Sequence, residues 1–224
     1  MTGITHTTAL WYTSRATGVV TLVLLTAVVV LGMMVNRQGR LPGLPRFAVT
    51  GLHRNISLLS VVFLAIHVLT AIADPYVTVG LATTVIPFTS PYKPLWLGLG
   101  ALSLDLIAAL ILTSLARARM SRRAWRGIHW LAYAAWPLAV LHSLGSSTDM
   151  RSGVMLVVLI SCVLAVCAAL AWRLSRAARE MPRARRAAAA LTQMSSPVPP
   201  RPITPGFADE PANRLMTAQK AARR

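Results

Sequence analysis

The chain has 224 residues, 55% of them hydrophobic and only six acidic, with a formal net charge of +17. Long apolar runs fill its first three quarters, which excludes a soluble domain around one large core and leaves a single membrane bundle. The charge invites nucleic acid, but the basic residues gather at the ends of apolar segments, as orientation in a bilayer requires, so no nucleic-acid partner is expected.

Residues 1–14 form a short polar N-terminus without a basic cluster, so no cleavable signal peptide is expected. His6 lies there and reads as a surface residue. Five apolar segments follow, near residues 16–35, 51–73, 94–115, 127–144 and 153–172. Each approaches the roughly twenty residues that cross a bilayer core, and helices satisfy such backbones in lipid. The fold class is therefore an all-α transmembrane bundle of about five spans over residues 15–174. Cys162 and Cys167 lie in the last apolar run and read as small membrane-buried residues rather than a disulfide or metal site.

Charge orients the bundle. Arg37, Arg40, Arg46 and Arg54 lie around the first connection, and Arg117, Arg119, Arg122, Arg123 and Arg126 around the third. The tail from Arg173 carries eleven more, whereas the opposite side has only Arg15, Lys93 and Arg151. The N-terminus is then outside and the C-terminus cytoplasmic. The outer loop at 74–92 is fairly apolar and broken by prolines, which fits a lid, a shallow re-entrant segment or an ordered surface loop. Residues 175–224 form a basic cytoplasmic tail. Its Arg/Ala-rich start extends the last helix or lies on the anionic inner leaflet, and its Pro-rich remainder from Ser195 is expected to be disordered.

Four of the five histidines lie inside apolar segments, in two pairs: His53 and His67 on the second, His129 and His142 on the fourth. At ~1.5 Å per residue, the spacings of fourteen and thirteen separate each pair by ~20 Å along a helix. Both helices start at the cytoplasmic face, so His53 shares a depth with His129, and His67 with His142. That is the geometry for two haems stacked between the second and fourth helices, an inner and an outer, each iron ligated from both sides. Two axial imidazoles leave no open position and favour electron transfer over oxygen binding. Zinc or copper is the competing reading, disfavoured because each depth supplies two histidines and no nearby cysteine or carboxylate. Fourteen residues leave only about 40° of offset at ~100° per residue, but thirteen leave about 140°. An irregularity is therefore expected between His129 and His142, at Pro137.

The segments GLHRNISLLSVVFLAIHVLTAIAD and RRAWRGIHWLAYAAWPLAVLHSLG resemble the ferric reductase-like transmembrane domain family. That family includes ferric reductases, NADPH oxidases and the haem-bearing membrane subunits of bacterial methionine sulfoxide reductase systems. The resemblance covers roughly residues 15–172. It implies that His53, His67, His129 and His142 are axial ligands of two b-type haems. It also implies that the chain is a membrane electron-transfer subunit of a reductase system, in a bacterial cytoplasmic membrane. The FAD and NAD(P)H module of the larger members is not expected here, since about fifty residues follow the last span, with no Gly-rich phosphate loop among them. One helix ahead of the first, present in many relatives, is also expected to be absent. The expected electron donor is therefore a separate cytoplasmic flavoprotein or quinol. The expected acceptor is extracytoplasmic: ferric iron, a flavin-binding partner or an oxidised protein.

Arg54 and Arg126 sit at the expected depth of the inner haem, where guanidinium suits a propionate as well as it suits lipid headgroups. Asp105, the one acid in the middle of a span, and Trp136, between the histidines of the fourth helix with Tyr133, are further functional candidates. The alternative function is a haem-binding sensor or assembly subunit without electron throughput. A solute transporter has little support, because neither an inverted repeat nor a pair of broken spans is evident.

Overall fold

The computed structural model describes residues 2–75 except 37–45, and residues 79–195; within the helices, the side chains of 2–7, 35–36, 46 and 180–195 are not described. The side chains of His6 and Arg46, and the whole of Arg37, Arg40 and the Pro-rich run from 196 on, lie outside the described residues. The chain divides into two compact units, 1–176 and 177–224. In the second, the described backbone is helical to residue 195.

All regular structure among the described residues is helical. The α-helices are α1 (Thr2–Asn36), α2 (Arg46–Ala73), α3 (Leu81–Val85), α4 (Pro94–Leu115), α5 (Arg122–His129), α6 (Ala132–Ser146) and α7 (Gly153–Ser195). Four of them are long and apolar enough to cross a membrane, with spanning stretches at Thr8–Met34, Phe47–Ala73, Pro94–Arg119 and Gly153–Arg179. This is a multi-pass membrane protein. α1 is helical from Thr2 onward, well ahead of the expected start of the first span, and α7 carries the Arg/Ala-rich stretch as a continuation of the last one.

The expected fourth span, 127–144, is not one helix. α5 ends at His129, and α6 begins at Ala132 and has 15 residues, ~22 Å of length, less than the ~30 Å of a bilayer core. The irregularity between the two histidines is real, but it lies at Trp130 and Leu131 rather than at Pro137, which sits inside α6. The backbone N–H groups of Trp130, Leu131, Tyr133 and Ala134 each donate to the carbonyl three residues earlier. That is 3₁₀ winding, about 120° per residue in place of 100°. It is overwinding, and it recovers much of the rotation that a thirteen-residue spacing lacks. Arg173 of α7 braces this turn: its Nη1 donates to Tyr133 Oη at 2.6 Å, and its guanidinium lies 5.4 Å from the Trp130 ring centre.

α1 packs along α2, and α4 along α6, with α1 and α6 in contact between the two pairs. Polar bonds join them where lipid offers no alternative partner. Ser103 Oγ of α4 donates to the Ala135 carbonyl of α6 at 2.9 Å, and Trp136 Nε1 of α6 donates to Thr26 Oγ1 of α1 at 2.9 Å. Leu22, Met150 and Leu159 form a buried cluster with Val19, Val140 and Leu144 around it, which seats α7 against α1 and α6. Thr17, Thr21 and Thr26 are buried on α1, and each returns its hydroxyl proton to the carbonyl four residues earlier.

The connection before α4 is ordered where described. α3 packs on α4, and Phe88, held at φ 66°, lies against Gly98. Pro94 opens α4 in the first turn, where its missing N–H costs nothing. Lys93 Nζ donates to the carbonyls of Gly145 and Ser146, satisfying the end of α6. Ser121 caps α5 by accepting from the Ala124 N–H.

Candidate functional site

The four intramembrane histidines fall on three helices. His53 and His67 are on α2, His129 is the last residue of α5, and His142 is in the second half of α6. The structure brings two of these rings, those of His67 and His142, close together. The rings of His67 and His142 are 6.5 Å apart between centres, with their planes at 73°. No three His, Cys, Asp or Glu side chains converge on a common point among the described residues, so each pair offers two ligands.

Hydrogen bonds define which nitrogen of each ring is free. His67 Nδ1 lies 2.7 Å from the carbonyl oxygen of Ser14 on α1, and His142 Nδ1 lies 2.8 Å from that of Trp96 on α4. A carbonyl only accepts, so Nδ1 carries the proton in both rings. Nε2 is then left with a bare lone pair, the state in which imidazole binds a metal, and the carbonyl bond fixes the ring's orientation. Two imidazole nitrogens each about 2 Å from one first-row metal stand about 4 Å apart. Their ring centres lie one ring radius further out on each side, which accommodates the 6.5 Å observed. The donor set and tautomer of this pair fit an axially ligated haem iron.

The other pair is held differently. His53 Nδ1 and His129 Nδ1 are both buried without a hydrogen-bond partner among the described residues. His129 is placed by an aromatic neighbour instead. The Trp125 indole stacks on it at 4.7 Å with the planes 22° apart, and the Arg117 guanidinium lies over that indole, 4.4 Å from its centre. Arg117, Trp125 and His129 thus form one stack at the α4–α5 junction.

The remaining candidates divide. Arg54 and Arg126 are both exposed, and neither forms an ion pair with a described carboxylate. Asp105 is half-buried within α4, without an ion pair to a described residue. Trp136 ties α6 to Thr26 of α1, and Tyr133 takes the hydrogen bond from Arg173. Sequence reasoning missed the residues that hold the histidines: the carbonyls of Ser14 and Trp96, the Trp125–Arg117 stack, and the Arg173 brace. A backbone carbonyl leaves no trace in a sequence. Trp125 does leave one, because it precedes His129 by four residues and so shares its helix face.

No curated protein and no solved structure matches the chain. A family model does: the one described as ferric reductase like transmembrane component matches residues 17–140, more than half of the sequence. The matched stretch includes His53, His67 and His129 and stops two residues short of His142. The chain belongs to the ferric reductase-like transmembrane family.

Proposed function

We propose that this protein carries electrons across a cell membrane through two b-type haems, one ligated by His53 and His129 and the other by His67 and His142. The observation that carries the reading is the tautomer of His67 and His142. Each has Nδ1 on a carbonyl of a neighbouring helix and Nε2 left free, and the two ring centres are 6.5 Å apart with the planes at 73°. Family membership gives a membrane electron-transfer role.

Haem bound there would be held by His53 with His129 and by His67 with His142, and would supply a one-electron redox centre. The chain's own contribution is to hold the imidazoles in position and to keep them in low-dielectric surroundings. Positive residues place the N-terminus outside and the C-terminus in the cytoplasm, so the His53/His129 site faces the donor and the His67/His142 site the acceptor. At the donor side, Arg54 and Arg126 offer exposed guanidinium groups to haem propionates. The haem domain comprises residues 15–174, and the basic tail 175–224 docks on anionic lipid or a donor protein. The donor is a separate flavoprotein or quinol, and the acceptor is ferric iron, a flavin-binding partner or an oxidised extracytoplasmic protein. Asp105, a carboxyl within a spanning helix, offers a proton-accepting group midway along this path.

The test is purification from membranes of haem-replete cells, with haem per chain and oxidised and reduced spectra as the readout. The expected result is low-spin b-type haem at about two per chain, reducible from the cytoplasmic side in vesicles. A folded, haem-free protein overturns the proposal.

A further inference from the structure

Glycine is the poorest helix former after proline, yet α1 and α4 each carry glycines in their spanning stretches. Three of these face imidazoles. A Cβ built at Gly18 falls 2.9 Å from His67 Cε1, one at Gly100 falls 2.5 Å from His142 Nδ1, and one at Gly32 falls 3.3 Å from His53 Cε1. The first two separations are shorter than real carbon contacts allow, and the third is tight.

Two of these glycines stand four residues after the carbonyl that their histidine meets: Ser14 precedes Gly18, and Trp96 precedes Gly100. Residues four apart lie one above the other on a helix face. The carbonyl of residue i and the bare backbone of residue i+4 therefore make one shallow seat for a ring. On α1 the two glycines are fourteen residues apart, the same interval that separates His53 from His67 on the helix beside it. The matching position on α4, fourteen residues beyond Gly100, is Ser114, and His129 has no seat of this kind.

We propose that Gly18, Gly32 and Gly100 are positioning residues for the haem-ligating imidazoles, each leaving the space that one histidine ring occupies against the neighbouring helix, with Nδ1 on a carbonyl of that helix for His67 and His142. The proposal rests on the two-haem reading. It goes beyond it by assigning three residues that touch no iron, and by giving three of the four ligands a glycine-lined space and leaving His129 without one. General close packing of membrane helices through small residues does not account for the pattern, because the atoms nearest to each absent Cβ are those of the imidazole rather than of a backbone.

The experiment compares Gly100→Ala, Gly18→Ala and Gly32→Ala with Gly51→Ala and Gly127→Ala in the full-length protein. Gly51 and Gly127 also lie within two residues of His53 and His129, but a Cβ at either meets nothing within 4 Å. Haem per chain, the low-spin electron paramagnetic resonance signals and the midpoint potentials are read for each. Gly100→Ala is expected to lose about half of the haem or to shift one of the two low-spin signals, leaving the other in place. Gly18→Ala affects the same signal, Gly32→Ala affects the other one more weakly, and Gly51→Ala and Gly127→Ala match the unsubstituted protein. If Gly100→Ala does not accumulate, Gly18→Ala and Gly32→Ala decide the matter by acting on different haems. Unchanged spectra in all three, or equal losses in all five, overturn the proposal while leaving the two-haem reading intact. An unsubstituted protein without haem overturns both.

Discussion

The two histidine pairs are built from the same residue type at matched depths, yet they are held by different means. His67 and His142 are each pinned by a carbonyl of a neighbouring helix. His53 and His129 keep a buried Nδ1 without a hydrogen bond, and His129 rests on Trp125. An Nδ1–H on a carbonyl fixes both tautomer and ring angle and makes Nε2 a better donor. A ring held by stacking is constrained in its plane but keeps either tautomer. The His67/His142 pair is therefore preorganised by backbone hydrogen bonds, whereas His129 rests on a side chain that a single substitution can remove.

Removing a ligand separates the pairs most sharply. His142→Ala and His67→Ala are each expected to abolish one haem and leave the other, so that haem per chain falls by about half. His129→Ala and His53→Ala remove the opposite one. Reduced-minus-oxidised spectra and the two low-spin resonance signals identify which haem is lost. If all four variants lose both haems, the sites do not form independently and the comparison fails at its root.

A smaller effect is expected from the stack. Trp125→Leu takes the indole off His129 without touching His67 or His142. An aromatic contact worth about 1 kcal/mol in one redox state alone moves a one-electron potential by a few tens of millivolts. The shift should be confined to the His53/His129 haem and accompanied by a change in its resonance signal, which reports ring angle. Arg126→Ala, which alters charge but not the stack, should shift the potential of that haem with its resonance signal unchanged. A potentiometric titration in which Trp125→Leu moves the His67/His142 haem instead would contradict the division of labour drawn here.

The sequence makes the helices legible because long apolar runs have one solution in lipid: α4 starts and ends where its hydropathy does, and α2 closes at Ala73 as expected. The proximity of His67 to His142 is what counting residues between charged loops leads one to expect. Two things resist such reading. The break before α6 falls at Trp130 and Leu131, residues that carry no helix-breaking signal, while the visible signal, Pro137, is absorbed inside α6. Proline removes one hydrogen bond, whereas the tightened turn is a tertiary choice, held by Arg173 from forty residues away. The seats beneath the histidines are half visible. Gly18 and Gly32 repeat the interval of His53 and His67, but that match becomes meaningful only once α1 is known to lie along α2.

The smallest expected effect tests whether the preorganised end depends on its surface clamp. Arg15 follows Ser14, whose carbonyl anchors His67. Its Nη1 donates to Asp149 Oδ2 and, at 2.7 Å, to Ser147 Oγ, while the guanidinium lies 4.0 Å from the Trp11 ring centre. The two charged side chains are 32% and 55% exposed, so the ion pair is worth only about 0.2–1 kcal/mol and is weakened by salt. Asp149→Asn should lower Tm by about 1–4 °C in low salt, and by less at high ionic strength. Because the clamp acts on the residue beside Ser14, a spectral change, where one is detectable, should fall on the His67/His142 haem. A Tm loss that is indifferent to salt would mean that Asp149 acts through hydrogen bonding, such as that from Thr148 Oγ1, rather than through its charge. A change confined to the His53/His129 haem would mean that the two ends are mechanically coupled through α1, contrary to the separate mounts that the hydrogen bonds describe.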